Sequence, residues 1–469
     1  MSVAPPLKKN DEPAIAIDAL SSEGSGVGRV SGYAVFVPGA LPGELVRAHI
    51  IKTTGAYAVA KLRELLSTSS ERAEPRCPAY AACGGCVLQH LRYEAQLREK
   101  RRMVADALAR LGHFHDPPVL PMLGMDDPWR YRNKGSFPFG GCDMPIFGLY
   151  AARSHRLVPI SDCPIQDERV LALTRRIQAW AEENRIPAYD EYTHTGSLRQ
   201  AVVRVTGTGE SLVTVVTYGP LKGAGALIDA LADADSLWHN QNDRDTNVIF
   251  GERFTLLRGS PRVAEDIGGL RFSLGPQSFL QVNPAQTGLL YERALALLSP
   301  SPGETVIDAY CGVGTISLPL ARRCARVIGI EQSPAAVEDA KANARQNAAE
   351  NAEFLCGGVE DVLPSILRRT PVSALLLDPP RKGCEESAIR AIGESRLKRL
   401  VYISCNPATL ARDCERLASY GFALAAVQPV DMFPHTAHVE AAALLKRGSY
   451  AGSDTGFSAE GSAPGIGEE

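Results

Sequence analysis

The sequence predicts an α/β protein in three parts: a small N-terminal β-barrel, a central α+β region and a C-terminal doubly wound, mostly parallel sheet. Two patterns support this. Short apolar runs broken by Gly and Pro fill residues 12–67, whereas strand-like and helical segments alternate from 281 to 447. The chain has 469 residues, of which 45% are hydrophobic, and this is enough for about two to four domains with separate cores.

The N-terminal region, residues 1–70, carries four strand-like runs: AIAIDAL, YAVFVPG, ELVRAHI and AYAVAKL. Apolar and polar residues alternate within these runs, and Gly and Pro separate them. Short strands at such spacing are typical of a small barrel. We therefore predict an OB-like β-barrel here.

The central region, residues 71–280, begins with a cysteine-rich turn and a charged helical stretch, Tyr93–Leu111. Its further strand-like runs are AVVRVTG, SLVTVVTYG and NVIFG, and a helix is predicted at Val170–Glu183. Strands and helices are mixed here without regular alternation, which predicts an α+β domain.

Residues 281–448 alternate between the two element types. The strand-like runs are TVIDAYCG, RVIGIEQ, AEFLCGG, ALLLDPP, RLVYISC and VEAAALLKR, and helices are predicted between them. This alternation is the pattern of a doubly wound sheet covered by helices on both faces.

The formal net charge of −3 is unevenly distributed along the chain. The last 21 residues, 449–469, hold four acidic and no basic side chains and are rich in Gly and Ser, so we predict a disordered acidic tail. The rest of the chain has a formal charge of +1, with basic residues concentrated at 92–110 and 130–156. A total charge near zero therefore does not exclude a nucleic-acid partner.

Membrane insertion and secretion are not expected. No run approaches the roughly 18 apolar residues that a membrane helix needs, and the N-terminus MSVAPPLKKNDEP lacks the apolar segment of a signal peptide. The eleven cysteines are odd in number and clustered, which favours metal or nucleophile roles over a disulfide framework. We expect a cytoplasmic protein.

A glycine-rich turn follows the first strand of the C-terminal sheet. In TVIDAYCGVGTIS an apolar strand ends in Asp308 and leads through Gly-x-Gly into a helix. The next strand ends at Glu331, where a carboxylate can accept hydrogen bonds from both ribose hydroxyls of a nucleoside. This pattern predicts a Rossmann-like domain that binds a nucleoside cofactor.

S-adenosylmethionine fits this turn better than a dinucleotide. Ser317 replaces the third glycine of the dinucleotide fingerprint, and Asp308 would repel a pyrophosphate but tolerate a sulfonium-bearing amino acid. Downstream, LLLDPPR places Asp378 and two prolines at the end of the fourth strand, at the same sheet edge. We therefore favour a methyltransferase, with a dinucleotide enzyme as the alternative.

Cys405 is the candidate nucleophile. It follows the strand in LVYISCNPATLARD, in a turn interrupted by proline at the edge where the cofactor also ends. Thiolate addition to C6 of uracil would make C5 nucleophilic enough to take a sulfonium methyl group. Cys324, Cys356 and Cys414 are interpreted as structural.

The C5 proton must then be removed by a base. The segment HTAHVEAAA offers Glu440, a carboxylate at the start of a hydrophobic strand, with His435 and His438 as alternatives. We favour Glu440 because a carboxylate kept so close to a core needs a functional reason.

Cys77, Cys83 and Cys86 lie within ten residues of one another. As a fourth ligand, Cys163 in the turn Asp-Cys-Pro is the best candidate and Cys142 the next. Ligation by cysteine alone is compatible with zinc or an iron–sulfur cluster. Because a remote fourth cysteine fits paired zinc motifs poorly, we favour a 4Fe–4S cluster.

With these residues, the chain resembles the RNA 5-methyluridine methyltransferases, and specifically the iron–sulfur branch that acts on 23S ribosomal RNA. The resemblance covers residues 12–447. It is carried, in order, by CGGCVLQHL, YRNKGSF, SFLQVN, DAYCGVGTISLPLA, LLLDPPRKG, YISCNPATLARD and HVEAAALL.

The resemblance implies an RNA-binding TRAM barrel, a central iron–sulfur domain that contacts RNA, and a catalytic Rossmann-like domain. It implies that S-adenosylmethionine is bound by Gln281, Tyr310, Glu331 and Asp378. It also implies that Cys405 is the nucleophile and Glu440 the proton acceptor. The implied ligands of the 4Fe–4S cluster are Cys77, Cys83, Cys86 and Cys163.

We therefore expect a monomeric enzyme that flips a uridine out of folded 23S rRNA and methylates its C5. The alternatives are the same reaction on a tRNA uridine and a non-catalytic iron–sulfur protein that binds RNA or assists assembly. Arg130, Arg132 and Lys134 are expected to contact phosphates, and Tyr131 and Phe137 to stack on bases.

Overall fold

The computed structural model describes residues 6–141 and 144–448. The predicted tail, residues 449–469, and the alternative ligand Cys142 lie outside this range. In the described part of the chain, no helix combines the length and apolar character needed to cross a bilayer.

The N-terminal strands form a closed barrel in the order β1-β2-β3-β5-β4, which confirms the predicted fold. They are β1 (Ala14–Leu20), β2 (Gly26–Val30), β3 (Tyr33–Val37), β4 (Leu45–Thr53) and β5 (Tyr57–Ser67). Strand β2 is not predicted, because its glycines interrupt the alternation of apolar and polar residues. A Cβ on Gly28 would lie 2.2 Å from the carbonyl oxygen of Ala16 on β1, so close pairing requires glycine there.

The central region contains a seven-stranded sheet in the order β12-β11-β10-β9-β6-β7-β8 and a separate hairpin, β13-β14. Its elements are α1 (Tyr93–Arg110), β6 (Lys134–Gly140), β7 (Ile146–Tyr150), β8 (Leu157–Pro159), α2 (Glu168–Glu183), β9 (Leu198–Val205), β10 (Ser211–Thr217), α3 (Ala224–Ala230), β11 (Ser236–Gln241), β12 (Arg253–Gly259), β13 (Val263–Ile267) and β14 (Leu270–Leu274). Both predicted helices are present. Helix α2 begins earlier than expected because the Asp167 side chain caps it by accepting a hydrogen bond from the backbone N–H of Arg169.

The predicted strand NVIFG, residues 247–251, is wrong. The Asn242 side chain donates to the carbonyls of Val248 and Ile249, at 2.7 and 3.0 Å, and the N–H of Gly251 donates to the Asn240 side chain at 2.8 Å. Because side chains of β11 and of the residue directly after it satisfy this backbone, the segment forms a loop, and β11 pairs with Arg253–Gly259 instead.

The C-terminal sheet is doubly wound as predicted, in the order β17-β16-β15-β18-β19-β21-β20. Its elements are α4 (Pro284–Leu298), β15 (Thr305–Ala309), α5 (Ser317–Ala321), β16 (Arg326–Glu331), α6 (Pro334–Gln346), β17 (Ala352–Cys356), α7 (Val359–Arg369), β18 (Ala374–Leu377), α8 (Glu386–Glu394), β19 (Arg399–Ser404), α9 (Pro407–Ala418), β20 (Phe422–Val430) and β21 (Glu440–Arg447). The first five strands in this order, β17, β16, β15, β18 and β19, run parallel to one another. Strand β21 runs antiparallel to both β19 and β20. Strand β20 escapes prediction.

Helix α1 belongs to the predicted central region but packs on the C-terminal sheet domain. Its Val104 and Leu108 are fully buried in the same core cluster as Leu410 and Cys414 of α9. The chain after α1 also bridges to β20, at Val119 with Val427 and at Leu123 with Val430. The central region and the C-terminal sheet therefore share a continuous interface around α1 and β20.

Candidate active site

Five predicted site residues lie at the ends of five neighbouring strands. Glu331 ends β16, Tyr310 follows β15, Asp378 follows β18, Cys405 follows β19, and Glu440 begins β21. The strands are adjacent in the order β16-β15-β18-β19-β21, and β21 runs in the opposite direction to the others. The five side chains are therefore arranged in a row along one edge of the sheet, the edge at which open α/β sheets bind ligands.

The pairing register brings Cys405 and Glu440 together. Ser404 of β19 pairs with Ala441 of β21, so the next position along each strand is Cys405 and Glu440, respectively. Burial raises the pKa of the Cys405 thiol, and the Glu440 carboxylate raises it further. The thiol and the carboxyl group are thus close enough to interact electrostatically.

One cavity of 1280 Å³ joins this sheet edge to the cysteine loop. Its wall contains all ten predicted site residues: Cys77, Cys83, Cys86, Cys163, Gln281, Tyr310, Glu331, Asp378, Cys405 and Glu440. A space of this size can hold a nucleoside cofactor and an unstacked base side by side.

The Glu331 carboxylate, at the end of β16, holds the Gly-x-Gly turn in place. The Glu331 carboxylate accepts hydrogen bonds from the backbone N–H groups of Gly312, at 3.1 Å, and Ser333, at 2.8 Å. Tyr310 has a φ of +67°, a left-handed conformation that is uncommon for a residue with a side chain. The carboxylate thus connects the turn to the N-terminus of α6 and keeps lone pairs for ligand hydroxyls.

Asp308 and Asp378 place two carboxyl groups at this edge of the sheet, near the ends of β15 and β18. Burial raises the pKa of both Asp308 and Asp378 to about 7. Asp308 accepts a hydrogen bond from the Ser317 hydroxyl at 2.5 Å, but its other carboxyl oxygen has no hydrogen-bond partner among the described residues. A cationic ligand would stabilise the ionised form of these groups.

The three candidate bases occupy different environments. His435 is buried outside the cavity wall, its ring stacks on Trp129 at 3.8 Å, and burial lowers its pKa to about 3. His438 lines the cavity with Glu440. Burial, assisted by Asp378, raises the pKa of Glu440 well above the usual value for a carboxyl group. A carboxylate in that environment is a stronger base than one in water.

The four predicted cysteine ligands lie at the other end of the cavity. Burial, together with the neighbouring thiols, raises the pKa of Cys86 to about 12 and of Cys163 to about 11. In the described ranges, no group of three or more His, Cys, Asp or Glu side chains is positioned to hold a metal ion. The structure thus brings the four thiols to one cavity without giving the predicted cluster direct support.

The expected RNA contacts are only partly available. Phe137 is fully buried, so the expectation that it stacks on RNA bases is wrong. The Tyr131 hydroxyl donates to the carbonyl of Pro434 at 3.0 Å. Arg130 forms paired hydrogen bonds with Asp162, at 2.9 and 3.0 Å. Tyr131 and Phe137 therefore belong to the core of the central region, and Arg130 is paired with Asp162 at a partly exposed position.

Sequence reasoning did not single out two residues in the cavity wall. Arg381, which lies inside the motif LLLDPPRKG, lines the cavity and lowers the pKa of Cys405 and Glu440. Phe279, inside SFLQVN, also lines the cavity and is 72% exposed, a high value for a large apolar side chain. Both residues lie in sequence motifs of the family, but nothing in the spacing of those motifs distinguishes them from their neighbours as site residues.

Two family models match the chain. The model for tRNA (uracil-5-)-methyltransferases matches residues 267–448, and the model for the TRAM domain matches residues 8–62. Similar proteins described as uncharacterized RNA methyltransferases occur in Halalkalibacterium halodurans, with 42% identity, and in Clostridium tetani, with 40% identity. Each alignment covers 94% of this chain, and 98% and 97% of the relatives, respectively.

A solved structure is similar over nearly the whole chain. It is the Pyrococcus abyssi tRNA (uracil-54, C5)-methyltransferase in complex with S-adenosyl-L-homocysteine. The similarity has a TM-score of 0.75 at 27% identity and covers 92% of this chain and 99% of that one.

Proposed function

The chain belongs to the RNA (uracil-5-)-methyltransferase family, and from this we propose that it methylates C5 of a specific uridine in 23S rRNA through a covalent bond between Cys405 and C6 of uracil. It is an S-adenosylmethionine-dependent enzyme family with RNA as substrate. The alternative of a non-catalytic RNA-binding protein is therefore not supported.

A single arrangement carries the mechanistic proposal: Asp378, Cys405 and Glu440 stand side by side at the ends of β18, β19 and β21. A nucleophile and a base on one cavity wall are what methylation of uracil C5 requires. Uracil C5 is too electron-poor to take a sulfonium methyl group without prior addition at C6.

The proposed reaction follows from these positions. The Cys405 thiolate adds to C6 of a flipped uracil, and the electron pair of the C5–C6 double bond makes an enolate that is nucleophilic at C5. C5 takes the methyl group from the sulfonium of S-adenosylmethionine: the bond between sulfur and the methyl carbon breaks, its electron pair stays on sulfur, and the neutral thioether leaves. Glu440 then accepts the C5 proton, the C5–C6 double bond forms again, and the bond between sulfur and C6 breaks to return the thiolate.

The cofactor residues are also part of this proposal. When bound, S-adenosylmethionine supplies an electrophilic methyl group on a positively charged sulfur. The carboxyl group of Asp378 in the cavity wall and the buried carboxyl group of Asp308 suit that charge, and the Glu331 carboxylate is available to ribose hydroxyls. We propose that Gln281, Tyr310, Glu331 and Asp378 hold the cofactor.

This assignment predicts a pH dependence that separates the two forms of the cofactor. A cation favours ionised carboxylates, so the affinity for S-adenosylmethionine should rise as pH rises through about 7, the pKa of Asp308 and Asp378. S-adenosylhomocysteine lacks the sulfonium charge, and its affinity should change less. Calorimetric titration of both ligands between pH 6 and pH 8 tests this, and parallel pH profiles would contradict the assignment.

The RNA substrate is 23S rRNA in our proposal because the motifs resemble the iron–sulfur branch that acts on that RNA. A tRNA uridine is the second candidate, favoured by the description of the matching family model and by the activity of the P. abyssi enzyme. Labelled S-adenosylmethionine offered with 23S, 16S and tRNA transcripts separates the two. Label in 23S rRNA at a single mapped uridine is the expected result, and label in tRNA alone would refute it.

We also propose that Cys77, Cys83, Cys86 and Cys163 hold a 4Fe–4S cluster. The support is an all-thiol donor set on one cavity wall, with thiols that raise one another's pKa. A cluster is larger than one ion, so its four ligands stand farther apart than those of a single metal. When bound, it would supply a cross-link between the 77–86 loop and Cys163.

Iron content tests the cluster directly. Protein purified anaerobically should be brown and contain about four iron atoms per chain. The variant Cys163→Ala should lose most of that iron, whereas Cys356→Ala, which alters an exposed cysteine outside the cavity wall, should keep it. Zinc without iron in the wild-type protein would overturn the proposal.

A further inference from the structure

The segment between β20 and β21, residues 431–439, has an unusual set of backbone partners; we refer to it as the latch segment. The sheet holds both of its ends, because Val430 pairs with Glu440. The residues between make no sheet pairs, yet Phe433, Thr436 and His438 among them line the reaction cavity beside Glu440. Something other than the sheet must fix their course.

Helix α1 holds the first part of the latch segment. The Lys100 ammonium group donates to the Asp431 carboxylate at 2.6 Å and to the carbonyl of Phe433 at 3.0 Å. The side chains of Lys100 and Asp431 are fully buried, and the Tyr93 hydroxyl donates to the second Asp431 oxygen at 2.9 Å. A buried charge pair with its remaining sites hydrogen-bonded is a rigid anchor, since breaking it leaves an uncompensated charge.

Gln96, one turn earlier on α1, holds the middle of the segment. Its side-chain oxygen accepts from the N–H of His435 at 3.0 Å, and its amide nitrogen lies 3.2 Å from Nδ1 of the His435 ring. His435 has a φ of +67°, a conformation that residues with side chains adopt only when their surroundings impose it. The cysteine loop contributes as well: the N–H groups of Val87 and Leu88, directly after Cys86, donate to the His435 carbonyl at 3.0 and 2.9 Å.

Five consecutive carbonyls, those of residues 431–435, each accept a hydrogen bond from outside the latch segment. The donors are Gln286, Asn283, Lys100 and Tyr131 for the first four and the two loop amides for the fifth. A connecting segment normally leaves such groups to water and moves accordingly. This one has a single course set by side chains from α1, α4 and the central region.

We propose that Gln96 and Lys100 are positioning residues of the methylation reaction. By fixing the latch segment, they keep Thr436 and His438 in the cavity wall beside Glu440, so that a flipped base is held in one orientation. This inference rests on the reaction proposed above. Neither residue lines the cavity itself, so neither touches the reacting atoms.

The test uses the full-length protein and the variant Gln96→Leu, which removes both contacts to His435 at nearly constant volume. We expect kcat for RNA methylation to fall by about 10- to 100-fold, because displacing the reacting groups by about 1 Å has an effect of this size. The KM for S-adenosylmethionine should stay at the wild-type value, because the proposed cofactor residues lie at the ends of β15, β16 and β18 and before α4, outside the latch segment. Arg101→Leu is the matched control: Arg101 is on the same helix and donates to the carbonyls of Val119 and Leu120, away from the latch segment. Its kcat should stay near wild type.

Binding stoichiometry separates positioning from a loss of folded protein. A purely structural defect lowers the fraction of chains that bind S-adenosylmethionine by the same factor as the rate, whereas a positioning defect lowers the rate alone. If Gln96→Leu does not fold, Tyr93→Phe decides, because it removes one hydrogen bond from α1 to Asp431, keeps the ring and lies outside the cavity wall.

The two levels of the proposal fail differently. If the wild-type protein methylates no RNA, the proposed function is contradicted, and the positioning role in that reaction is contradicted with it. Active wild-type protein, together with a folded variant that keeps the wild-type kcat, overturns the positioning role of α1.

Discussion

Replacing Cys405 with alanine is expected to abolish RNA methylation, lowering kcat by roughly 10⁶-fold, the scale on which enzymes lose activity when a covalent nucleophile is removed. The physical reason is that C5 of uracil becomes nucleophilic only after addition at C6. Binding of S-adenosylmethionine should be nearly unchanged, because its proposed ligands lie at the ends of β15, β16 and β18 and in the segment before α4. Methyl transfer from labelled cofactor and calorimetric binding measure the two quantities.

The matched control for this variant is Cys356→Ala. Cys356 ends β17, another strand of the same sheet, but it is exposed and lies outside the cavity wall. Its removal should leave the rate at the wild-type value. Full activity of Cys405→Ala would exclude the covalent mechanism, whatever the control shows.

Replacing Glu440 with glutamine is expected to trap the covalent intermediate. Glutamine cannot accept the C5 proton, so release should slow by about 10²- to 10⁴-fold, the usual contribution of a general base. Loss of the carboxylate also removes a charge that raises the pKa of Cys405, so thiolate attack should become easier. A denaturant-stable RNA–protein band that carries the methyl label from S-adenosylmethionine is the expected product.

The variant His438→Gln completes this experiment, because His438 is the other candidate base in the cavity wall. It should release its RNA normally and leave no stable band. If His438→Gln traps RNA while Glu440→Gln turns over, the assignment of the base is reversed. His435 needs no such test, since it is buried outside the cavity wall.

Much of the sheet edge could be foreseen because its strands are parallel. Asp378 and Cys405 each follow a buried strand, and the carboxyl ends of parallel strands share one edge. Reading these residues one after another along the chain was therefore enough to expect them together in space. The barrel was foreseeable from its pattern: alternating apolar positions in β1, β3, β4 and β5 give each short strand one face to bury, which is typical of a small barrel.

Other features depend on contacts that no local pattern records. Phe137 closely follows a run of basic residues and suggests a stacking surface, but β6 turns its side chain into the core. The NVIFG run has the composition of a strand, but Asn240 on β11 and Asn242 just after it satisfy its backbone instead. In each case, a partner distant in sequence prevails over local preference.

Glu440 shows most clearly where prediction from sequence ends. Its acidic side chain at the start of an apolar strand marks it as functional, and the motifs mark Cys405 and Asp378 in the same way. Yet a parallel β21 would place Glu440 at the opposite edge from Cys405. It reaches the thiol because β20, which no pattern revealed, turns the chain around so that β21 runs antiparallel beside β19. Residue chemistry is local and can be read along the chain, whereas strand direction and the course of residues 431–439 are set by long-range packing on α1, β19 and β20.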